Sequence, residues 1–175
     1  MEERFDLIII GSGPGGYVAA IKAAKLGKRT AIIESREIGG TCLNRGCIPT
    51  KTMMHSSHLY YEAQRLGELG ITIEGIHLDM DKLRERKDTV VNKIRQGIVA
   101  LLEANMVSII NGKAKIISPN QVIVTRNDNN TGAFDASQIE YQADKILIAT
   151  GSKPIIPRLE GTELANVITS DELLS

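Results

Sequence analysis

The chain has 175 residues, 42% of them hydrophobic, which suits one domain with a buried core and little more. Its 21 basic and 21 acidic side chains cancel and tryptophan is absent, so neither a polyanionic partner nor a basic–aromatic nucleic-acid surface is indicated. No apolar run approaches the roughly 18–20 residues that span a bilayer, and the opening Met-Glu-Glu-Arg-Phe resembles neither a signal nor a transit peptide, so a cytoplasmic protein without membrane contact is expected.

Residues 5–10, Phe-Asp-Leu-Ile-Ile-Ile, form an apolar run that suits a strand buried on both faces of a parallel sheet. Gly11-Ser12-Gly13-Pro14-Gly15-Gly16 follows and matches G-x-G-x-x-G at Gly11, Gly13 and Gly16. Residues 17–26 are alanine-rich and helix-forming, and Gly27 stands where a helix would stop. Residues 30–33 give a second buried strand that ends in Glu34. Strand, glycine turn, helix, strand and closing acid together make the dinucleotide-binding pattern. In it Gly11 allows the tight turn, Gly13 the approach of a pyrophosphate, and Gly16 close helix–strand packing. The helix N-terminus offers amides and a positive dipole end to phosphates, while Glu34 can accept hydrogen bonds from adenosine ribose hydroxyls. The pattern serves FAD and NAD alike, because both carry the adenosine diphosphate half.

Residues 39–51, Gly-Gly-Thr-Cys-Leu-Asn-Arg-Gly-Cys-Ile-Pro-Thr-Lys, hold both cysteines, Cys42 and Cys47. Two thiols this close form a disulfide or half of a metal site, and in a reducing compartment they point to catalytic or metal-binding use. Residues five apart in an ideal helix have Cα atoms roughly 8–9 Å apart, whereas a disulfide needs less than about 7 Å. Joined thiols therefore require a departure from helix, which Gly46 and Pro49 permit. A zinc site would need two more ligands, and His55, His58 and His77 lack ligand-like spacing.

A helix over 51–66, begun by Pro49, comes next, and then a turn region at 67–75. Residues 79–105 carry Leu83, Val90, Ile94, Ile98, Leu101 and Leu102 at near-helical spacing, which predicts a long amphipathic helix. From Met106 the period shortens. Residues 107–110, 114–117, 121–124 and 139–142 read as short strands of an antiparallel meander, with a surface tip at 127–132. Residues 143–150 add a strand that ends in Thr150-Gly151-Ser152.

The run 39–51 resembles the redox-disulfide signature of the pyridine nucleotide–disulfide oxidoreductases. Within that family, Leu43-Asn44-Arg45-Gly46 and Ile48-Pro49 are most similar to members that oxidise protein-bound dihydrolipoamide; glutathione and mercuric reductases more often carry valines there. The resemblance implies an α/β, Rossmann-like FAD-binding domain at 1–150, with a parallel sheet, helices, a redox disulfide at 42–47 and an inserted meander at about 107–142. It implies a connector at 151–175 toward an NAD-binding domain. Cys42 is expected to exchange with the substrate's sulfur and Cys47 to lie against the flavin as a thiolate, a role suited to a thiol near a helix N-terminus and Lys51. The resemblance also implies that Pro14, Gly15, Ser35, Gly40, Thr41, Lys51, Ala114 in an Asn111–Ala114 turn, Thr150, Gly151 and Ser152 border FAD.

The cofactors implied are FAD, with NAD as co-substrate. The partners implied are a lipoyl-domain dithiol, a second copy in a homodimer, and a 2-oxo acid dehydrogenase complex. No second glycine fingerprint, no glycine–aspartate turn for a ribitol and no C-terminal histidine–glutamate pair is present in the sequence. The chain thus reads as the N-terminal part of such an enzyme, with a fold incomplete at its C-terminus and no full catalytic cycle of its own. A nucleotide-binding module without catalysis, and a reductase of glutathione or another disulfide, stand as the alternatives.

Overall fold

The computed structural model describes residues 3–127 and 134–175. In chain order the elements are β1 (Glu3–Ile10), α1 (Pro14–Lys25), β2 (Thr30–Glu34), α2 (Gly40–Arg45), α3 (Cys47–Gln64), a 3₁₀ turn (Leu66–Leu69), α4 (Met80–Ala104), β3 (Ser108–Ser118), β4 (Gln121–Asn127), β5 (Phe134–Ile148) and α5 (Ser170–Leu174). The chain divides into two compact units, Met1–Cys42 with Arg95–Lys153 and Leu43–Ile94 with Pro154–Ser175.

Among the described residues, the first unit holds every strand. β1 lies parallel to β2 on one side and to β5 on the other, and β2 runs parallel to β3. β3, β4 and β5 are antiparallel neighbours, and the five strands close into a barrel. The expected α/β arrangement of a parallel sheet with a meander is therefore present. Two of its strands, however, run through segments that the sequence pattern separates. Residues 108–111 pair with β2 and residues 112–118 continue in the same strand to pair with β4. Likewise β5 pairs with β4 through Gln142 and with β1 through Ile148, so residues 139–142 and 143–148 belong to one strand, which ends two residues before the expected Thr150.

Asn111–Ala114 is accordingly extended strand and not the turn expected there. Gly112 is the reason the strand can continue. A Cβ at this position would stand 2.5 Å from the Thr125 carbonyl oxygen and from Val124, so only glycine lets β4 pair this closely with β3 here. Of the surface tip expected at 127–132, Asn127 is the last residue of β4, and residues 128–132 lie outside the described residues.

Phe5, Ile8, Ala31, Ile33, Val122, Val124, Tyr141 and Ala143 form one buried cluster, with the Phe5 and Tyr141 rings 6.2 Å apart and tilted. Each large side chain among them stabilises the fold by roughly 1.5–3 kcal/mol relative to exposure. α1 packs on β1 and β2. The paired Ile9 and Ile32 are fully buried, as is Ala20 of α1. α1 starts at Pro14, where the missing N–H costs nothing. It stops as Gly27 suggested: the Lys28 N–H bonds Ala23 O and the Gly27 N–H bonds Ala24 O, with Gly27 at φ 76°.

α4 matches the amphipathic helix expected over 79–105, but its buried stripe differs from the one its apolar residues suggested. Leu83, Lys87, Val91, Ile98 and Leu102 are buried, while Ile94 and Leu101 are exposed. Spacings of four residues place Lys87 between Leu83 and Val91, and its ammonium bonds Leu174 O at 3.1 Å and the Asp88 carboxylate at 3.1 Å. The burial is thus compensated by partners.

The C-terminus of α4 repeats the motif that ends α1, with Met106 N–H bonding Glu103 O and Val107 N–H bonding Leu102 O. Here the left-handed residue is Met106, at φ 57°. A Cβ in that conformation is strained. Met106→Gly is expected to raise unfolding stability by about 0.5–1 kcal/mol in a denaturant titration. A loss of stability would show that the exposed methionine side chain contributes more than the strain costs.

Candidate nucleotide and redox site

Gly11 turns the chain out of β1 at φ 101° and donates its N–H to Ile33 O. A Cβ on Gly11 would stand 2.3 Å from Ala149 O and 3.1 Å from the Thr150 Cα. One on Gly16 would stand 1.9 Å from Gly11 O. The first and third glycines are therefore steric requirements of the loop itself, and the loop is packed on the 149–150 segment that follows β5. Gly13 and Gly15 differ. A Cβ on Gly13 would meet only the Gly40 Cα at 3.9 Å, and one on Gly15 nothing within 4 Å.

The start of α1 fits a diphosphate. Gly13 caps the helix with no side chain, its carbonyl accepts the Gly16 and Tyr17 N–H groups, and no acid lies in the first turn. First-turn amides without a capping carboxylate, together with the dipole, favour an anion.

Glu34, at the end of β2, is held entirely by this part of the chain. Its Oε2 accepts the Ser12 N–H at 2.9 Å and the Ser12 hydroxyl at 2.6 Å. Its Oε1 accepts the N–H groups of Ser35 at 2.8 Å and Arg36 at 2.9 Å. Ser12 is fully buried. Its carbonyl and hydroxyl oxygens also accept the Gly39 N–H, at 3.1 Å and 3.3 Å. Ser12 occupies an x position of the glycine motif, to which the motif assigns no role; a hydroxyl placed between two glycines after an apolar strand is the local signal of this junction. Gly40, at φ 63°, completes the contact, since a Cβ there would stand 2.6 Å from the Gly13 Cα.

The structure thus brings Gly11, Gly13, Gly16, Glu34, Ser35, Gly40 and Thr150 together in the first unit. Pro14 and Gly15 are exposed at the helix start, and Thr41 is exposed in α2. Gly151, at φ 68°, and Ser152 follow Thr150 on the surface. Ala114 stands opposite Val124 in the β3–β4 ladder with its side chain against the core.

Cys42 lies in α2 and is half-buried, and Cys47 opens α3 and is exposed. The departure from helix occurs at Gly46, whose φ −143° and ψ −113° separate α2 from α3. Gly46 O accepts the Thr50 N–H at 3.0 Å, which starts α3 four residues earlier than the sequence suggested. Pro49 sits in the first turn, where its lack of an N–H is harmless. Lys51, one turn after Cys47, is exposed. Among the described residues, no group of three or more His, Cys, Asp or Glu side chains is placed to hold a metal ion. No helix among them is long and apolar enough to cross a membrane.

A family model described as pyridine nucleotide-disulphide oxidoreductase matches residues 5–175. The chain belongs to that family. Members of this oxidoreductase family are FAD-dependent flavoproteins. Similar proteins include the dihydrolipoyl dehydrogenase of Chlamydia muridarum, 42% identical over 88% of this chain and 31% of its own length. The Bacillus subtilis enzyme of the same name is 39% identical over 97% of this chain and 33% of its own. That of Acholeplasma laidlawii is 38% identical over 100% of this chain and 50% of its own. A solved structure, the copper(II) complex of the HOCl-induced flavoprotein disulfide reductase RclA from Escherichia coli, superposes with TM-score 0.78 at 29% identity. It covers 99% of this chain and 34% of that one. The chain therefore spans a third to a half of the length of these oxidoreductases.

Proposed function

We propose that the chain supplies the FAD site and redox cysteines of a dihydrolipoyl dehydrogenase, which oxidises protein-bound dihydrolipoamide to lipoamide and reduces NAD. Residues 1–150 would be the FAD-binding domain and 151–175 the connector toward an NAD-binding domain. The observation that carries this reading is the junction at Ser12. It fastens the glycine loop, the ribose-side acid Glu34 and the Gly39–Gly40 approach to Cys42 into one continuous element.

FAD, when bound, would take the two electrons of the dithiol and deliver them to NAD. The chain's own part is the thiol exchange. One sulfur of dihydrolipoamide attacks Cys42 of the oxidised Cys42–Cys47 pair, and Cys47 leaves as a thiolate. The second substrate sulfur then displaces Cys42, which releases lipoamide and leaves two protein thiols. The α1 N-terminus would hold the pyrophosphate with residues 150–152 on its side, Glu34 the ribose, and the main chain at Ala114 the adenine, while Lys51 would approach the flavin ring and Thr41 would border FAD. A cytoplasmic homodimer serving a 2-oxo acid dehydrogenase complex completes the proposal.

Incubating the oxidised protein with dihydrolipoamide or with glutathione, followed by alkylation and mass mapping, tests the substrate. Faster return of both Cys42 and Cys47 to thiols with dihydrolipoamide is expected. Equal or faster reduction by glutathione would favour the second reading, a reductase of another disulfide, to which the likeness to RclA lends support.

A further inference from the structure

Glu34 has four protein donors before any ligand arrives, two on each oxygen. An ionised carboxylate offers about four lone-pair sites, so a ribose diol must share an oxygen or trade places with one of these donors. The two sides of the carboxylate differ in access. Oε1 is bonded on the exposed side by the Ser35 and Arg36 amides. Oε2 is clamped from within by Ser12, which is fully buried and beyond a ligand's reach.

The hydroxyl also has a fixed direction. The carboxylate only accepts and the Gly39 N–H only donates, so the Ser12 O–H donates to Glu34 Oε2 and accepts from Gly39. Such a charge-assisted bond is among the stronger ones in proteins. It spares Glu34 the ordering that binding would otherwise require.

We infer that Ser12 is a positioning residue that acts through Glu34 to set recognition of the ribose hydroxyls in the adenosine half of the ligand. The inference rests on the nucleotide reading of the glycine loop given above.

Ser12→Ala isolates this role. Oε2 would keep the residue-12 N–H, and the Gly39 N–H would keep the residue-12 carbonyl, so no donor of the junction is orphaned. Calorimetric titration of the purified wild type and variant with ADP and with 2′,3′-dideoxy-ADP is the experiment. The variant is expected to lose about three- to tenfold in affinity for ADP and to bind the dideoxy analogue as the wild type does. An equal loss for both ligands would make Ser12 merely structural, and an unchanged or tighter ADP affinity would remove its role in recognition; either overturns the inference. Failure of the wild type to bind either ligand would instead overturn the nucleotide reading, and this inference with it.

Discussion

Gly16→Ala is expected to cost about 3 kcal/mol or more in unfolding free energy, with loss of any bound flavin. The added Cβ would stand 1.9 Å from Gly11 O, a backbone atom that cannot swing aside as a side-chain tip could. Gly11 is itself pinned, by its bond to Ile33 O and by the closeness of Ala149. Relief therefore means moving α1 off β1 or breaking the turn. Gly15→Ala is the matched control. It lies one residue earlier in the same helix, meets nothing within 4 Å, and should leave stability unchanged or raise it by about 0.5–1 kcal/mol. Chemical denaturation of the pair reads the difference directly. A Gly16→Ala protein as stable as the Gly15→Ala one would mean that the loop is not packed as described.

Replacing Cys42 or Cys47 with serine carries the largest expected effect on function. In the proposed exchange each thiol has a distinct task, attack at Cys42 and departure from Cys47, and neither can be done by a hydroxyl under the same conditions. In a full-length enzyme each variant should lose dihydrolipoamide turnover by at least about a thousandfold, and the double variant should be no worse than either single one, because the pair acts as a unit. Flavin content and folding should survive, since neither cysteine belongs to the buried core cluster. Retained dithiol turnover in both single variants would sink the redox assignment, whatever the state of the flavin.

Much of this arrangement was legible in the sequence because local chemistry there permits few alternatives. Gly11, Gly16, Gly27 and Gly46 each stand where the structure needs an unusual dihedral or a missing Cβ; the first three are marked by their place between an apolar strand and a helix-forming run, and Gly46 by its place between the two cysteines. The Ile-rich runs gave β1 and β2 within two residues. The misses share a cause, which is that their determinants are distant in sequence. Nothing local shows that 111–114 continues as strand, because Gly112 is extended only against Thr125 and Val124. Lys87 lies on the buried stripe of α4 because the Leu174 carbonyl and Asp88 receive its ammonium, and a periodicity count of apolar residues passes over it. Ser12 was passed over for a similar reason, since its partners are 22 and 27 residues away.

The central proposal is that this chain supplies an FAD site and the redox cysteines Cys42 and Cys47. A visible absorption spectrum of the purified protein, before and after mild dithiol reduction, tests it most directly. The account predicts a bound flavin spectrum that gains a long-wavelength shoulder when Cys42 and Cys47 are reduced, lost in Cys47→Ser and retained in Cys42→Ser. A protein that stays colourless after incubation with FAD, or a flavin spectrum indifferent to the state of Cys47, would contradict it.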